Sequence, residues 1–541
     1  MKFKSNQTEQ KLRGGYYTPL DIADYVTRWV LRSNPSSILE PSCGDGVFFK
    51  ALHNNKCDKS IKIHGHELFK TEVKKSQKQC NDYGFKNSTI IEGDFLSWAN
   101  TTIDKQEEMY DGVIGNPPFI RYQFLEKDFQ YHAESIFKTL DLKFTKHTNA
   151  WVPFVLSSLS MLKPGGRLGM VIPSEIIHVM HAQSLREYLM KVCSKIVIID
   201  PQEIWFEDTL QGAVIILAEK KKNANRKSNG VAIKHVKGLD FLTRSDEALF
   251  KTTKPVNSES INGKWTKAIL DESERNLLDK IVRKKNVAPF NDIANVEVGI
   301  VTGANDFFLV NDEIVKKYGL KKYTHPMFGK SIHCKGVIYD KNQDRENQKL
   351  GYPTNFLHIQ DSFSNLPSSV QKYIRHGEAQ GLHTRYKCRI RDPWYTVPSV
   401  FSRSLGMLKR AHDTPRLIFN ELDAYTTDTA YRVTSKTIDP RYLSYLFLNP
   451  LTAVFAELEG RYYGGGVLEL VPSEIRKLYI PLPENIDYDL VELDNMVRNY
   501  SMDSILRLQG EKILGAIGLS KKDIETVYFI WEKLKNRRQR K

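Results

Sequence analysis

Residues 37–219 alternate short β-branched runs with helical stretches, a rhythm that leaves few folds open. Strands separated by helix-length connections cannot pair as hairpins; they lie parallel, with helices covering the sheet on its faces. Candidate strands fall at residues 38–39, 61–65, 89–92, 110–114, 167–172, 196–200 and 213–218. The last two are joined by a stretch too short for a crossover helix, so they are predicted to form an antiparallel hairpin at the sheet's edge. The expected fold is α/β: a Rossmann-like, seven-stranded, mostly parallel sheet whose last strand runs antiparallel.

The stretch 220–230, KKKNANRKSNG, has no hydrophobic period and reads as a linker or surface loop. Beyond it the texture becomes aromatic-rich and punctuated by Pro and Gly, without the strand-helix rhythm. The boundary is therefore placed near Asn229, with residues 1–229 forming one domain and residues 230–541 a second, mixed α+β domain. Near the end, Ser520 and Asp523 form a capping-box pattern before Ile524, Val527, Tyr528, Trp531 and Leu534, a helical stripe that closes in the basic tail 533–541.

Charge narrows the partners. Lys and Arg number 79 against 64 Asp and Glu, a formal net charge of +15 that favours a polyanion. The six cysteines are scattered without a CxxC pair or a Cys/His cluster at ligand spacing, so neither a disulfide frame nor a bound metal is expected. The amino terminus lacks an apolar signal core, and the longest apolar runs are far too short to span a bilayer. A soluble intracellular protein is the expectation.

Three segments carry chemistry. Gly14-Gly15-Tyr16-Tyr17-Thr18-Pro19 precedes Ile22, Val26, Trp29 and Val30 at helical spacing, with Thr18 predicted as the N-cap and Pro19 as the first helical residue. Next, Ile38-Leu39-Glu40-Pro41-Ser42-Cys43-Gly44-Asp45-Gly46 runs from a strand through a glycine turn into a helix. Ligands of such sheets sit at the carboxyl ends of the strands, where glycines let the backbone approach. Glu40, Glu67 and Asp94 place carboxylates at three successive strand ends, which suits a nucleoside carrying an amino acid tail and disfavours a phosphate. Glu67 is matched to ribose hydroxyls, Asp94 to an adenine amino group and Phe95 to the face of that ring. The turn also lacks the Lys-Ser/Thr pair of a nucleotide triphosphatase.

The third segment, Gly115-Asn116-Pro117-Pro118-Phe119, ends the fourth strand. An adenine amino nitrogen is a poor nucleophile because its lone pair is delocalised into the ring. The Asn116 side-chain oxygen and the Pro117 carbonyl can each accept one amino hydrogen and localise that lone pair. Pro117 and Pro118 stiffen the loop before the base arrives, and Phe119 offers a face on which a flipped base can stack.

Together these segments resemble class I S-adenosylmethionine-dependent methyltransferases, specifically the TaqI-like gamma-class amino-methyltransferases of restriction-modification systems. The resemblance covers residues 14 to about 219 and includes the order of the motifs, with the recognition region last. It implies that Thr18, Glu40, Cys43, Gly44, Glu67, Asp94, Phe95 and Pro117 contact S-adenosylmethionine, which leaves as S-adenosylhomocysteine. It further implies that Phe206 partners Phe119 around the target base, although Trp205 is adjacent. Where the family's catalytic loop often ends in Tyr, this chain has Phe119.

Three carboxyl-terminal segments, residues 298–308, 388–400 and 462–483, resemble target-recognition regions of related adenine methyltransferases. By this resemblance residues 1–229 are the catalytic domain and residues 230–541 the target-recognition domain, with duplex DNA in a basic cleft between them. The implied activity is N6-adenine methylation of a specific site by direct transfer to a flipped base, with no metal and no covalent enzyme intermediate. A monomer is expected, in a bacterial or archaeal cytoplasm, with a separately encoded endonuclease as a compatible companion. The competing readings are methylation of cytosine N4 or of a protein glutamine, and a non-catalytic DNA-specificity module. Cytosine C5 chemistry is excluded by the absence of a Pro-Cys nucleophile.

Overall fold

The structure is a computed structural model, and it describes residues 17–105, 109–202, 212–257, 261, 263–463 and 465–540. The chain divides into two compact units, Met1–Asp271 with Arg540–Lys541, and Glu272–Gln539.

The first unit is built on one sheet: β1 (Ser37–Glu40), β2 (Lys62–Glu67), β3 (Ser88–Glu92), β4 (Tyr110–Gly115), β5 (Leu162–Pro173), β6 (Cys193–Pro201), β7 (Ala213–Lys220) and β8 (Val231–Val236). Their spatial order is β3-β2-β1-β4-β5-β7-β6-β8. Strands β1 to β5 pair in parallel, and β7 runs antiparallel to both β5 and β6. Helix α1 (Leu20–Leu31) precedes β1, and α2 (Val47–Asn54), α3 (Lys70–Asp82), α4 (Phe95–Lys105), α5 (Lys127–Thr139), α6 (Trp151–Ser160) and α7 (Gln183–Val192) lie in the connections from β1 to β6. Helix α1 shows how patterning becomes packing: Ile22, Tyr25, Val26, Trp29 and Val30 are all fully or almost fully buried, as a 3.6-residue stripe requires. Among the described residues no helix is long and apolar enough to cross a membrane.

Three expectations need correction. The sheet has eight strands, and the β6/β7 hairpin is not its edge, because β8 pairs in parallel with β6 outside it. The units part at Asp271 rather than Asn229, since β8 completes the sheet and the segment after it is ion-paired to α1 and β5. The fully buried Asp246 carboxylate accepts from Arg32 (2.9 Å) and Arg28 (3.3 Å), and Glu247 pairs with Arg167 (2.8 Å). The stretch 220–230 is accordingly the end of β7 and its connection to β8, exposed over residues 222–227. Finally, α1 begins at Leu20 with Pro19, not Thr18, in the N-cap position; Asp21 accepts the Ile22 N–H (2.8 Å).

The second unit contains a five-stranded sheet in the order Ala294–Val298, Ala430–Ser435, Leu405–Leu408, Leu417–Asn420, Ile338–Tyr339, together with smaller sheets and helices. This is the mixed architecture expected from the loss of strand-helix rhythm. The predicted stripe of Ile524, Val527, Tyr528, Trp531 and Leu534 is buried on the helix Lys521–Gln539. Its basic end is not a solvated tail: Arg538 is 2% exposed and pairs with the buried Glu457 carboxylate at 2.7 Å.

Candidate active site

The sheet order sets the position of the site. The chain leaves β1 toward β2 and β3 on one side, then returns to place β4 on the other, so β1 and β4 flank the switch point where ligands of such sheets bind. Two loops leave their carboxyl ends side by side. A Cβ at Gly115 would lie 3.3 Å from Pro41 Cδ, and the Ser42 hydroxyl donates to the Asn116 carbonyl at 2.9 Å. The Asn116 amide nitrogen donates to Thr18 Oγ1 at 3.1 Å, and Thr18 is buried. Thr18, Ser42 and Asn116, distant in sequence, thus meet at one point.

The turn after β1 is held by its glycines and by its neighbours. Gly44 and Gly46 have φ of 54° and 87°, values that non-glycine residues adopt at a cost. Ser76 Oγ on α3 donates to the Gly44 carbonyl (2.8 Å), and Gln79 Nε2 donates to that of Asp45 (2.7 Å). The Cys43 side chain turns into the sheet, where a Cβ on Gly65 would stand 2.5 Å from its Sγ. Burial pushes its thiol well above the ordinary value, so whatever Cys43 offers a ligand comes from its backbone.

The three strand-end carboxylates have different environments. Glu67 ties the turn after β1 to the loop after its own strand: Oε2 accepts the Gly44 N–H (2.9 Å) and Oε1 the Phe69 N–H (3.0 Å). Asp94 Oδ1 accepts the Leu96 N–H (3.0 Å), which orients the carboxyl at the start of α4. Glu40 is fully buried, and neither of its carboxylate oxygens has a hydrogen-bond partner among the described residues. Burial, and then the negative charges of Asp45 and Glu67, hold its carboxyl well above the ordinary range.

An orphaned buried carboxylate calls for a cation. S-adenosylmethionine carries two, a sulfonium and an α-ammonium, on a nucleoside whose ribose and adenine are neutral. The donor set here, acids and turn backbone without a phosphate cradle, fits that molecule.

The aromatic partners are placed less openly. Phe95 is 2% exposed and packs on Phe154, His66 and Trp98, with ring centroids 5.1–5.8 Å away. Phe119 is 9% exposed, Pro117 is buried and Pro118 half-buried. Phe206 and its neighbour Trp205 lie outside the described residues.

With this geometry in place, the matches to known proteins are specific. The N-6 DNA Methylase family matches residues 2–282, more than half of the 541-residue chain. The chain belongs to the N-6 DNA methylase family. It is an S-adenosylmethionine-dependent DNA methyltransferase. A second family, described as the carboxyl-terminal domain of the type II methyltransferase M.Eco57I, matches residues 262–514. Similar proteins include the type II methyltransferase M.AccI of Acinetobacter calcoaceticus, 27% identical over 534 residues, covering 93% of this chain and 92% of that one. M.BanIII of Aneurinibacillus aneurinilyticus is 25% identical over 351 residues, 56% of this chain and 58% of that protein. M.BstVI of Geobacillus stearothermophilus is 24% identical over 358 residues, 57% and 62% respectively.

This N-6 DNA methylase also uses residues that the sequence reading passed over. Asn149 Oδ1 accepts the Tyr122 N–H (3.2 Å) just past the Asn116-Phe119 loop, and its Nδ2 donates to Glu175 Oε2 (3.0 Å). The Ala150 N–H donates to the Ile120 carbonyl (3.0 Å), so the loop's exit is tied on both sides. Glu175 is buried, and that burial raises its carboxyl above the ordinary value. Its signal was available: it follows Pro173 at the end of β5, a fourth acid at a strand end.

Because Glu67 holds the Gly44 N–H of the turn after β1 and the Phe69 N–H of the loop after its own strand, Glu67→Ala is expected to act twice. S-adenosylmethionine affinity measured by calorimetry falls about 10- to 100-fold, the loss of charge-assisted hydrogen bonds worth roughly 1.5–3 kcal/mol. The melting temperature of the cofactor-free protein also drops. An unchanged affinity rules out the assignment of Glu67 to the cofactor.

Proposed function

We propose that this enzyme methylates the exocyclic N6 of adenine at a specific sequence in duplex DNA, as the modification partner of a restriction-modification system. The observation that carries the reading is the seating of the Asn116-Pro117-Pro118-Phe119 loop against the acid-lined turn of β1 through Ser42 and Thr18. S-adenosylmethionine supplies an electrophilic methyl group; its transfer to N6 releases one amino proton and leaves S-adenosylhomocysteine.

The chain's own groups do the rest. Glu40 holds the cationic end of the cofactor, Glu67 the ribose hydroxyls, and Asp94 the cofactor's adenine amino group; Thr18, the Cys43-Gly44 backbone, Phe95 and Pro117 complete the pocket. Asn116 Oδ1 and the Pro117 carbonyl accept the two hydrogens of the target amino group and so localise its lone pair. The target base is flipped out of the duplex, because N6 cannot meet the methyl group inside a stacked helix. Phe119 and Phe206 hold its faces, a contribution of about 1–3 kcal/mol per stacked base. Catalysis takes place in the first unit, and the second, matched over residues 262–514 by the M.Eco57I carboxyl-terminal family, reads the sequence. A monomer in a prokaryotic cytoplasm and a separately encoded endonuclease acting on the same site complete the reading; no metal takes part.

Methylation-sensitive sequencing of DNA from cells expressing the chain tests this. N6-methyladenine at one recurrent motif is the expected result. N4-methylcytosine at a motif overturns the choice of base, and unmodified DNA from cells that contain the folded, cofactor-binding protein overturns the reaction.

A further inference from the structure

The second unit carries a surface that its own fold does not explain. In the segment 372–391 six residues are basic (Lys372, Arg375, Arg385, Lys387, Arg389, Arg391) and one is acidic, Glu378, which accepts a hydrogen bond from Trp394 Nε1 (3.0 Å). Arg385, Lys387 and Arg389 are exposed, and their side chains have neither an ion pair nor a hydrogen bond among the described residues. Tyr386 and Ile390 stand between and beside them at 64% and 61% exposure, and Lys387 and Arg389 flank the Tyr386 ring at 5.6 and 5.9 Å. Exposing an aromatic ring and an isoleucine side chain among cations costs hydration without any return within the fold.

This ridge is held rigidly from below. The Arg391 guanidinium, at its end, turns inward and donates to the Val301 and Thr302 carbonyls, both at 2.7 Å. Cys388 is buried, its thiol directed at the Thr302 carbonyl (3.8 Å). Gly303, at φ 81°, passes so close that a Cβ there would lie 2.6 Å from Lys387 Cβ. The 299–302 loop is in turn pinned by the Ile300 N–H to the Thr426 carbonyl (2.7 Å) and by the Asp428 N–H to the Ile300 carbonyl (3.1 Å). Val298, the last residue of an edge strand, and Val301 are also exposed, at 44% and 39%. The result is a preorganised projection with cations, an aromatic ring and small apolar groups at its crest.

We propose that this ridge, residues 385–390 backed by residues 298–302, enters a groove of duplex DNA and sets the enzyme's sequence specificity. The inference rests on the functional reading above and names the element that reads. Unpaired guanidinium groups on a fixed support suit phosphates and guanine edges, and the exposed apolar groups suit thymine methyls and sugar. A flexible tail would give salt-dependent attraction without register; a clamped ridge gives both.

The test uses the full chain and a fluorescent duplex of about 25 base pairs bearing the motif found by sequencing, beside one lacking it. In Arg385→Ala/Lys387→Ala/Arg389→Ala, affinity for the motif duplex is expected to fall at least tenfold. Its log-log salt slope should shrink by about 0.9 for each phosphate contact removed, while cofactor affinity and melting temperature hold. Arg385→Lys/Arg389→Lys separates attraction from reading: general affinity persists, but the preference for the motif drops about tenfold, because an ammonium cannot make the guanidinium's forked contact.

A triple variant that binds and discriminates like the wild type overturns the ridge alone. So does a triple variant that loses a single-stranded RNA while keeping the motif duplex. A wild-type protein that neither binds nor methylates duplex DNA overturns instead the functional reading on which the ridge depends.

Discussion

Asn116→Ala is expected to lower the single-turnover rate of methyl transfer by about 10²–10³-fold, the cost typical of deleting one preorganised polar contact to a transition state. S-adenosylmethionine affinity should stay within about threefold, because the substitution removes a group facing the base and leaves the acid-lined turn intact. The bond from Ser42 Oγ goes to the Asn116 backbone carbonyl, so alanine keeps it and the loop stays seated. The Thr18 contact is lost with the side chain. The measurement pairs a quenched-flow assay on the motif duplex with calorimetry of the cofactor. A rate within tenfold of wild type removes Asn116 from the chemistry; an equal collapse of cofactor affinity makes it a structural residue of the turn.

The parts of this site that were legible in the sequence are those a parallel sheet fixes by itself. Once strands alternate with helices, the residue after each strand falls at one edge of the sheet, so Glu40, Glu67, Asp94 and Asn116 could be gathered without coordinates. Glu175 obeys the same rule and was passed over because no motif announced it. Asn149 could not be found, since its value lies in two hydrogen bonds to partners that become neighbours only on folding.

Strand β8 was missed for a related reason. Its sequence, VAIKHV, buries only three of six side chains and follows a basic stretch that looks like a linker. What makes it a strand is its pairing with β6, beginning at Ile196 and Val231. The second unit hides more, because its principal strands pair across long separations in sequence, as Ala294–Val298 does with Ala430–Ser435. The ridge at residues 385–390 emerges only when exposure is known, since alternating basic and apolar residues would read equally well as an ordinary amphipathic segment.

Glu40→Gln should move stability and cofactor binding in opposite directions. A carboxyl whose folded value is raised above its unfolded one contributes stability that is fully present below the unfolded pKa and is lost as pH rises through the folded value. Above that range the wild-type protein without cofactor therefore carries a buried negative charge with no hydrogen-bond partner among the described residues. Glutamine removes the charge while keeping the shape, which is worth about 1–3 kcal/mol, or a rise of roughly 2–4 °C in melting temperature. The gain should shrink as pH is lowered and the wild-type carboxyl takes up its proton.

With S-adenosylmethionine the order reverses, because the same charge is what the cationic ligand pairs with. Affinity in Glu40→Gln is expected to fall about 10- to 100-fold. Wild-type affinity should itself weaken as pH falls into the range where Glu40 is protonated, a dependence the variant lacks. Since a ligand stabilises the folded state in proportion to RT ln(1 + [L]/Kd), the two melting curves change places. The variant melts higher without cofactor, and the wild type melts higher near saturation. Calorimetric binding and thermal melts across pH, with and without cofactor, read both halves on the same samples. If Glu40→Gln melts lower than wild type in the absence of cofactor and binds it equally well, Glu40 is a structural residue of β1 and the cation site lies elsewhere.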